Sequence, residues 1–144
     1  MKSEFSKTWK SSVKPRKQRK YRYKAPFHIK SKFMNVNLSK ELREKHGTRN
    51  LRLKVGDKVK ILRGNFKGKE GAVVEIDLKN TKVYVNKIEV TKMEGTKVRR
   101  PLNPTNLQII DLKLDDKKRK DKLAKFKSEA KPSKTSQTSK PEAK

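Results

Sequence analysis

The sequence predicts a mainly β protein, a small and strongly curved antiparallel sheet or barrel carrying basic extensions. Three observations lead there. Between Val55 and Val90 apolar residues alternate with polar ones at strand spacing, in segments joined by short glycine- or asparagine-bearing links. Hydrophobic residues make up only 31% of the 144 residues, enough for one small core. The 42 Lys and Arg stand against 15 Asp and Glu, a formal net charge of +27. Self-repulsion at that charge opposes compaction, so a polyanion is the expected main partner.

Residues 1–50 read as a basic N-terminal extension. Phe5 and Trp9, four apart, can share a helix face. Arg16, Lys17, Arg19, Lys20, Arg22 and Lys24 follow, with Tyr21 and Tyr23 between them. Such a run is expected to stay extended in water and to order along a phosphate backbone. Its tyrosines suit stacking on unpaired bases or filling a groove beside sugar. A solvated tail is the plainer alternative, disfavoured because so many like charges need neutralising. Pro26 then biases Ala25 away from helix, and Phe27 and Ile29 are candidates to anchor the arm. His28 lacks a neighbouring Cys, His or carboxylate cluster, which suits a hydrogen-bonding or phosphate-contact residue better than a metal ligand. Lys30 and Lys32 extend the basic surface. A short helix is expected at about 39–46, with Ser39 as N-cap, Leu38 and Leu42 four apart, a Glu41–Lys45 pair and Gly47 as the stop. At barely two turns it must dock on something.

Residues 51–112 form the expected core. Leu51, Leu53 and Val55 alternate with basic residues as a leading strand. Val59 and Ile61 share one face of the next strand; Lys58, Lys60 and Leu62 share the other. Gly64, Gly68 and Gly71 punctuate a basic turn, where glycines permit positive φ and close backbone approach. Arg63, Lys67 and Lys69 project from it as candidate phosphate contacts, although the same glycines could do no more than build a bulged hairpin. Ala72, Val74 and Ile76 are assigned to one face of the strand that follows. Asp77 to Asn80 turn the chain, Val83 and Val85 begin another strand, and Ile88 and Val90 continue the apolar series. A loop from Met93 runs through Lys97, Arg99 and Arg100, and Leu107 to Ile110 close the sheet. Residues 113–130 read as a basic helical extension, with Asp115 and Asp116 in its first turn, Leu123 and Phe126 packing locally, and Lys117, Lys118, Arg119 and Lys120 facing nucleic acid. Residues 131–144 have the composition of a disordered tail.

Several function classes are excluded or disfavoured. Without cysteine there is no disulfide or zinc-ribbon site. No stretch approaches a transmembrane helix or a secretory signal, and the basic segments lack the long apolar face of a membrane-surface helix. A cytoplasmic protein is expected. Glu70, Glu75 and Asp77 are close in sequence, but strand periodicity separates the first two, and no histidine or metal cluster accompanies them. Neither catalysis nor a cofactor is expected.

The run Asp57, Gly64, Lys67-Gly68 and Gly71-x-Val73 resembles the KOW motif of ribosomal proteins and elongation factors, which implies a small SH3-like β-barrel with five strands or so. Ala25-Pro26-x-His28-Ile29, Leu38-Ser39-Lys40-Glu41-Leu42-Arg43, Asn103-Pro104-x-Asn106-Leu107 and Leu112-Lys113-Leu114-Asp115 add to it. Together they resemble the family of universal ribosomal large-subunit protein twenty-four in its long archaeal and eukaryotic form, across roughly residues 12–127. The lack of an extra residue near Gly68 points to an archaeal member. The resemblance implies a structural constituent of the large ribosomal subunit that binds large-subunit ribosomal RNA, assists early assembly and lies near the polypeptide exit tunnel. Neighbouring large-subunit proteins and factors at the tunnel exit would be further partners. Arg63, Lys67 and Lys69, the basic residues from Arg16 to Lys24, and Lys30 and Lys32 would be RNA contacts. The competing readings are a KOW-type transcription elongation factor and a chromatin-like binder of duplex DNA. The first would normally bring a separate domain ahead of its barrel, and residues 1–50 are too short and too charged to be one.

Overall fold

A computed structural model describes residues 5–6 and 12–129, with side chains as far as Phe126. Trp9 and the tail 131–144, singled out above, lie outside the described residues. The basic run expected to be extended is instead helix α1, Pro15–Lys24. Pro15 sits at the first helical position, where its missing N–H costs nothing and its φ is already helical. Arg, Lys and Gln are good helix formers, and that local preference outweighs the repulsion assumed from charge. The helix ends where Pro26 holds Ala25 at φ −58°, ψ 131°. Helix α2 (Phe27–Lys30) and a 3-10 turn (Ser31–Met34) lead directly into strand β1, Asn35–Leu38. Helix α3 (Lys40–His46) starts on Ser39, whose side chain accepts from the Leu42 N–H, and stops at Gly47 with φ 65°.

Strands β2 (Asn50–Arg52), β3 (Lys58–Ile61), β4 (Glu70–Asp77), β5 (Lys82–Val85) and β8 (Leu107–Asp111) join β1 in one six-stranded sheet of order β2-β1-β8-β3-β4-β5. Strands β6 (Glu89–Thr91) and β7 (Lys97–Arg99) pair separately as a hairpin. The small SH3-like β-barrel is therefore corrected. The sheet is open, with β2 and β5 at its edges, and the fold is mixed α/β, including a 13-residue helix α4 at Lys117–Glu129. The cause is β1, which is not among the strands expected from alternation. It pairs antiparallel with β2 and parallel with β8, and so separates the leading strand from the closing one.

Alternation set the inward residues, with one slip. Val59, Ile61, Val83, Val85, Leu107 and Ile109 are all buried. In β4, however, Val73 is buried and Ala72 exposed, the reverse of the expected parity. The β4–β5 register shifts between Val73 and Glu75, so Val74 is the extra residue of a bulge. A bulge advances the chain by one and exchanges its faces. Val73 points inward before it, and Ile76 packs against the core after it. Val90, placed with the core series, lies instead on the exposed β6–β7 hairpin. The core extends to helix α4 through Leu123, and α4 packs beside α3, so this segment is docked on the domain and is not a free arm.

Candidate nucleic-acid interface

The link between β3 and β4 is a rigid basic turn. The Gly68 N–H donates to the Ile61 carbonyl at 2.8 Å, the Ile61 N–H to the Lys69 carbonyl at 2.9 Å, and the Lys67 N–H to the Gly64 carbonyl at 3.0 Å. Gly64 and Gly68 hold φ of +92° and +87° in open space, so glycine is required there by conformation and not by crowding. Arg63, Lys67 and Lys69 are all exposed on this frame. Lys69 lies over the Phe66 ring, its Nζ 5.3 Å from the centroid. Beside the turn, Glu70 Oε1 is 3.5 Å from Lys60 Nζ and its Oε2 is 3.9 Å from Lys58 Nζ.

Helix α1 buries none of its residues. Arg16, Lys17, Arg19, Lys20 and Arg22 are exposed, while Lys24 is half-buried. Tyr21 turns inward, its ring centroid 4.7 Å from Phe5 and 6.2 Å from Phe33. Arg22 lies 5.4 Å from the Phe33 centroid. Tyr23, two residues on, is exposed, as helical geometry demands. Beyond the corner, His28 and Lys32 are exposed, but Lys30 is buried and its Nζ donates to the Lys79 carbonyl at 3.0 Å. That bond ties α2 to the turn between β4 and β5. Arg99 and Arg100 are exposed at the end of the hairpin.

The start of α4 divides the remaining candidates. Lys117, Lys118 and Lys120 are exposed. Arg119 is 5% exposed and donates from Nη1 and Nη2 to the two oxygens of the fully buried Asp57, at 2.7 and 2.8 Å. Arg119 is thereby withdrawn from the surface set, since its fork is committed inside the protein. A signal for this was present: Arg119 and Leu123 are four apart, so a helix that buries one turns the other the same way. Asp116 precedes the helix, and its Oδ1 accepts from the Lys118 N–H at 2.9 Å. Its carboxylate also pairs with Lys54, and this bond is the main cause that holds the Asp116 pKa below its ordinary value. Lys92 and Lys97, exposed cations on the hairpin, were not among the predicted contacts.

Among the described residues no group of three or more His, Cys, Asp or Glu is placed to hold a metal ion, and no helix is long and apolar enough to cross a membrane. The arrangement presents exposed cations from several elements of the fold, suited to phosphate contact.

Comparison with known proteins agrees with the resemblance seen in the motifs. Residues 12–125 match the family described as eukaryotic ribosomal protein L26 together with its archaeal counterpart. The chain is 49% identical over 99 residues to the large ribosomal subunit protein uL24 of Methanocorpusculum labreanum, covering 69% of this chain and 82% of that one. It is 49% identical over 108 residues to uL24 of Nanoarchaeum equitans, covering 75% and 72%. With uL24 of Methanocella arvoryzae it shares 49% identity over 99 residues, covering 69% and 80%. The chain belongs to the universal ribosomal uL24 (KOW-motif) family in its long archaeal and eukaryotic form, a family of non-catalytic structural proteins of the large ribosomal subunit.

Proposed function

We propose that this chain binds large-subunit ribosomal RNA as an architectural protein of the cytoplasmic ribosome, acts early in subunit assembly and lies near the polypeptide exit tunnel beside neighbouring large-subunit proteins. The observation that carries this reading is the family match across residues 12–125. The surface cations support it. Arg16, Lys17, Arg19, Lys20, Arg22 and Lys24 on α1, together with His28 and Lys32, form one contact set. Arg63, Lys67 and Lys69 on the β3–β4 turn form a second, Arg99 and Arg100 a third, and Lys117, Lys118 and Lys120 on α4 a fourth. Binding releases counterions from phosphate, and the ordered frame reduces the entropic cost of making these contacts. RNA helices are read mostly by shape, backbone and 2′-hydroxyls, which suits cations spread over several elements. Arg63 is fitted for bidentate phosphate contact by its planar fork, and the lysines act as point charges.

Crosslinking in cells, followed by sequencing of the attached nucleic acid, tests the proposal. Reads concentrated in large-subunit ribosomal RNA are expected. Reads spread over messenger RNA or genomic DNA would overturn it.

A further inference from the structure

The corner between α1 and α2 carries two largely exposed aromatic rings. Tyr23 is 84% exposed and Phe27 66% exposed. Their neighbour Tyr21 is half-buried against Phe5 and Phe33, so the same short segment contains a packed ring and two largely exposed ones. The corner itself is fixed. Ala25 is buried, and its N–H donates to the Tyr21 carbonyl at 3.0 Å. The N–H groups of Ile29 and Lys30 both donate to the Pro26 carbonyl at 2.9 Å. The Lys30 ammonium then anchors α2 to the β4–β5 turn through the Lys79 carbonyl. Both rings are thus presented on backbone that is ordered by internal hydrogen bonds.

The surroundings select the occupant. Arg19, Lys20 and Arg22 before the corner and Lys32 after it are exposed cations. A polyanion drawn to those charges brings its own planar groups within reach of the rings. In an RNA duplex the base faces are covered by their stacked neighbours; in unpaired nucleotides they are open. From this we infer that Tyr23 and Phe27 form a stacking site for unpaired RNA bases, flanked by phosphate-contacting cations. The inference rests on the RNA-binding reading above and adds the class of nucleotide that this corner takes. Tyr21 holds α1 in place through its ring packing and is not part of the stacking pair.

The test uses the full-length protein and three probes at one salt concentration: a single-stranded oligouridine carrying a 2-aminopurine, a blunt-ended RNA duplex, and vesicles containing anionic lipid. Wild-type protein should quench the 2-aminopurine on binding. Tyr23→Leu and Phe27→Leu should each weaken single-strand binding about tenfold and reduce the quench, while duplex affinity stays within about twofold. Tyr23→Trp and Phe27→Trp should retain the quench, because planarity and not apolarity is what stacking needs. Equal weakening on both RNAs, or an unaltered quench in the leucine variants, overturns the stacking site and leaves RNA binding standing. Vesicle binding that depends on Tyr23 and Phe27, with no such dependence for single-stranded RNA, also overturns it. Failure of wild-type protein to bind either RNA overturns the RNA reading itself. All four substitutions are at exposed positions, and an unaltered thermal midpoint checks that each variant is folded.

Discussion

Arg119 and Asp57, 62 positions apart in sequence, form a buried two-pronged ion pair at 2.7 and 2.8 Å that joins helix α4 to the turn ahead of β3. Asp57 also accepts the Lys54 N–H at 2.8 Å and the Lys113 N–H at 3.0 Å. The Arg119 fork reaches the carbonyls of Lys113 and Arg52 at 3.0 and 3.3 Å. One carboxylate therefore organises a turn, the segment before α4 and α4 itself. Removing either partner leaves a buried charge uncompensated, so Asp57→Asn and Arg119→Met should each destabilise the protein by about 3–5 kcal/mol. Chemical denaturation measures this directly. Arg119→Lys should not restore stability, because an ammonium cannot reproduce the planar fork. A loss below about 1 kcal/mol in both single variants would count against this role.

Two glycines should respond oppositely to the same pair of substitutions. Gly68 has positive φ and nothing near the place a Cβ would occupy. Gly68→Ala should cost about 1–2 kcal/mol from backbone conformation, and Gly68→Asn less, since asparagine tolerates the left-handed region. At Gly71 a Cβ would lie 2.7 Å from the Asn86 carbonyl oxygen and 2.8 Å from Val85 Cγ1. Gly71→Ala should cost about 1–3 kcal/mol by overpacking, and the larger Gly71→Asn should cost more. Thermal unfolding of the four variants decides it, and the same ranking at both sites would refute the distinction.

The Asp116 carboxylate titrates below its ordinary value of 3.8, chiefly because Lys54 bonds to its charged form. A depressed folded-state pKa stabilises the fold above the unfolded value, and that stabilisation is lost as pH falls through the folded pKa. Wild-type protein should therefore exceed Asp116→Asn in stability at pH 7, with the gap closing below about pH 4. Asp77 is displaced the same way, mainly by the Asn80 N–H, and Asp77→Asn should show the same closing gap. Urea midpoints from pH 7 to pH 3 test both, and a gap that widens on acidification would contradict the sign.

Salt dependence should rank helix α1 above the β3–β4 turn in the number of phosphates it neutralises. Replacing Arg16, Lys17, Arg19 and Lys20 by glutamine should flatten log affinity against log salt by roughly 0.7–0.9 for each phosphate that is no longer neutralised. It should weaken target and scrambled RNA about equally, because phosphate contacts position without specifying. Replacing Arg63 and Lys67 should flatten the slope less, because two charges are removed instead of four, and should likewise weaken both RNAs about equally. Filter binding of both variants across a salt series gives the answer. An α1 variant with an unaltered slope, or a turn variant that flattens it more than the α1 variant does, would defeat this ranking.

Much of the candidate site was legible because its signals are local. The glycines at 64 and 68, the cations beside them, the Ser39 cap and the Gly47 stop each depend on backbone chemistry within a few residues. Alternating apolar residues in β3, β5 and β8 identified the inward face for the same reason. The family resemblance was carried by motifs of this short-range kind.

Other features depended on contacts between distant parts of the chain. The alternation of Asn35-Val36-Asn37-Leu38 suits a strand, but only its place between β2 and β8 makes the sheet open. The bulge at Val74 follows from β4–β5 register, which strand periodicity cannot reveal. Charge by itself made Arg119 and Lys30 look like surface contacts, whereas burial gave each an internal partner. The sequence by itself determined the charge, the turn chemistry and the family, because these reside in residue type and short spacing. Only the tertiary structure decided which cations face outward, since that depends on what packs against each one.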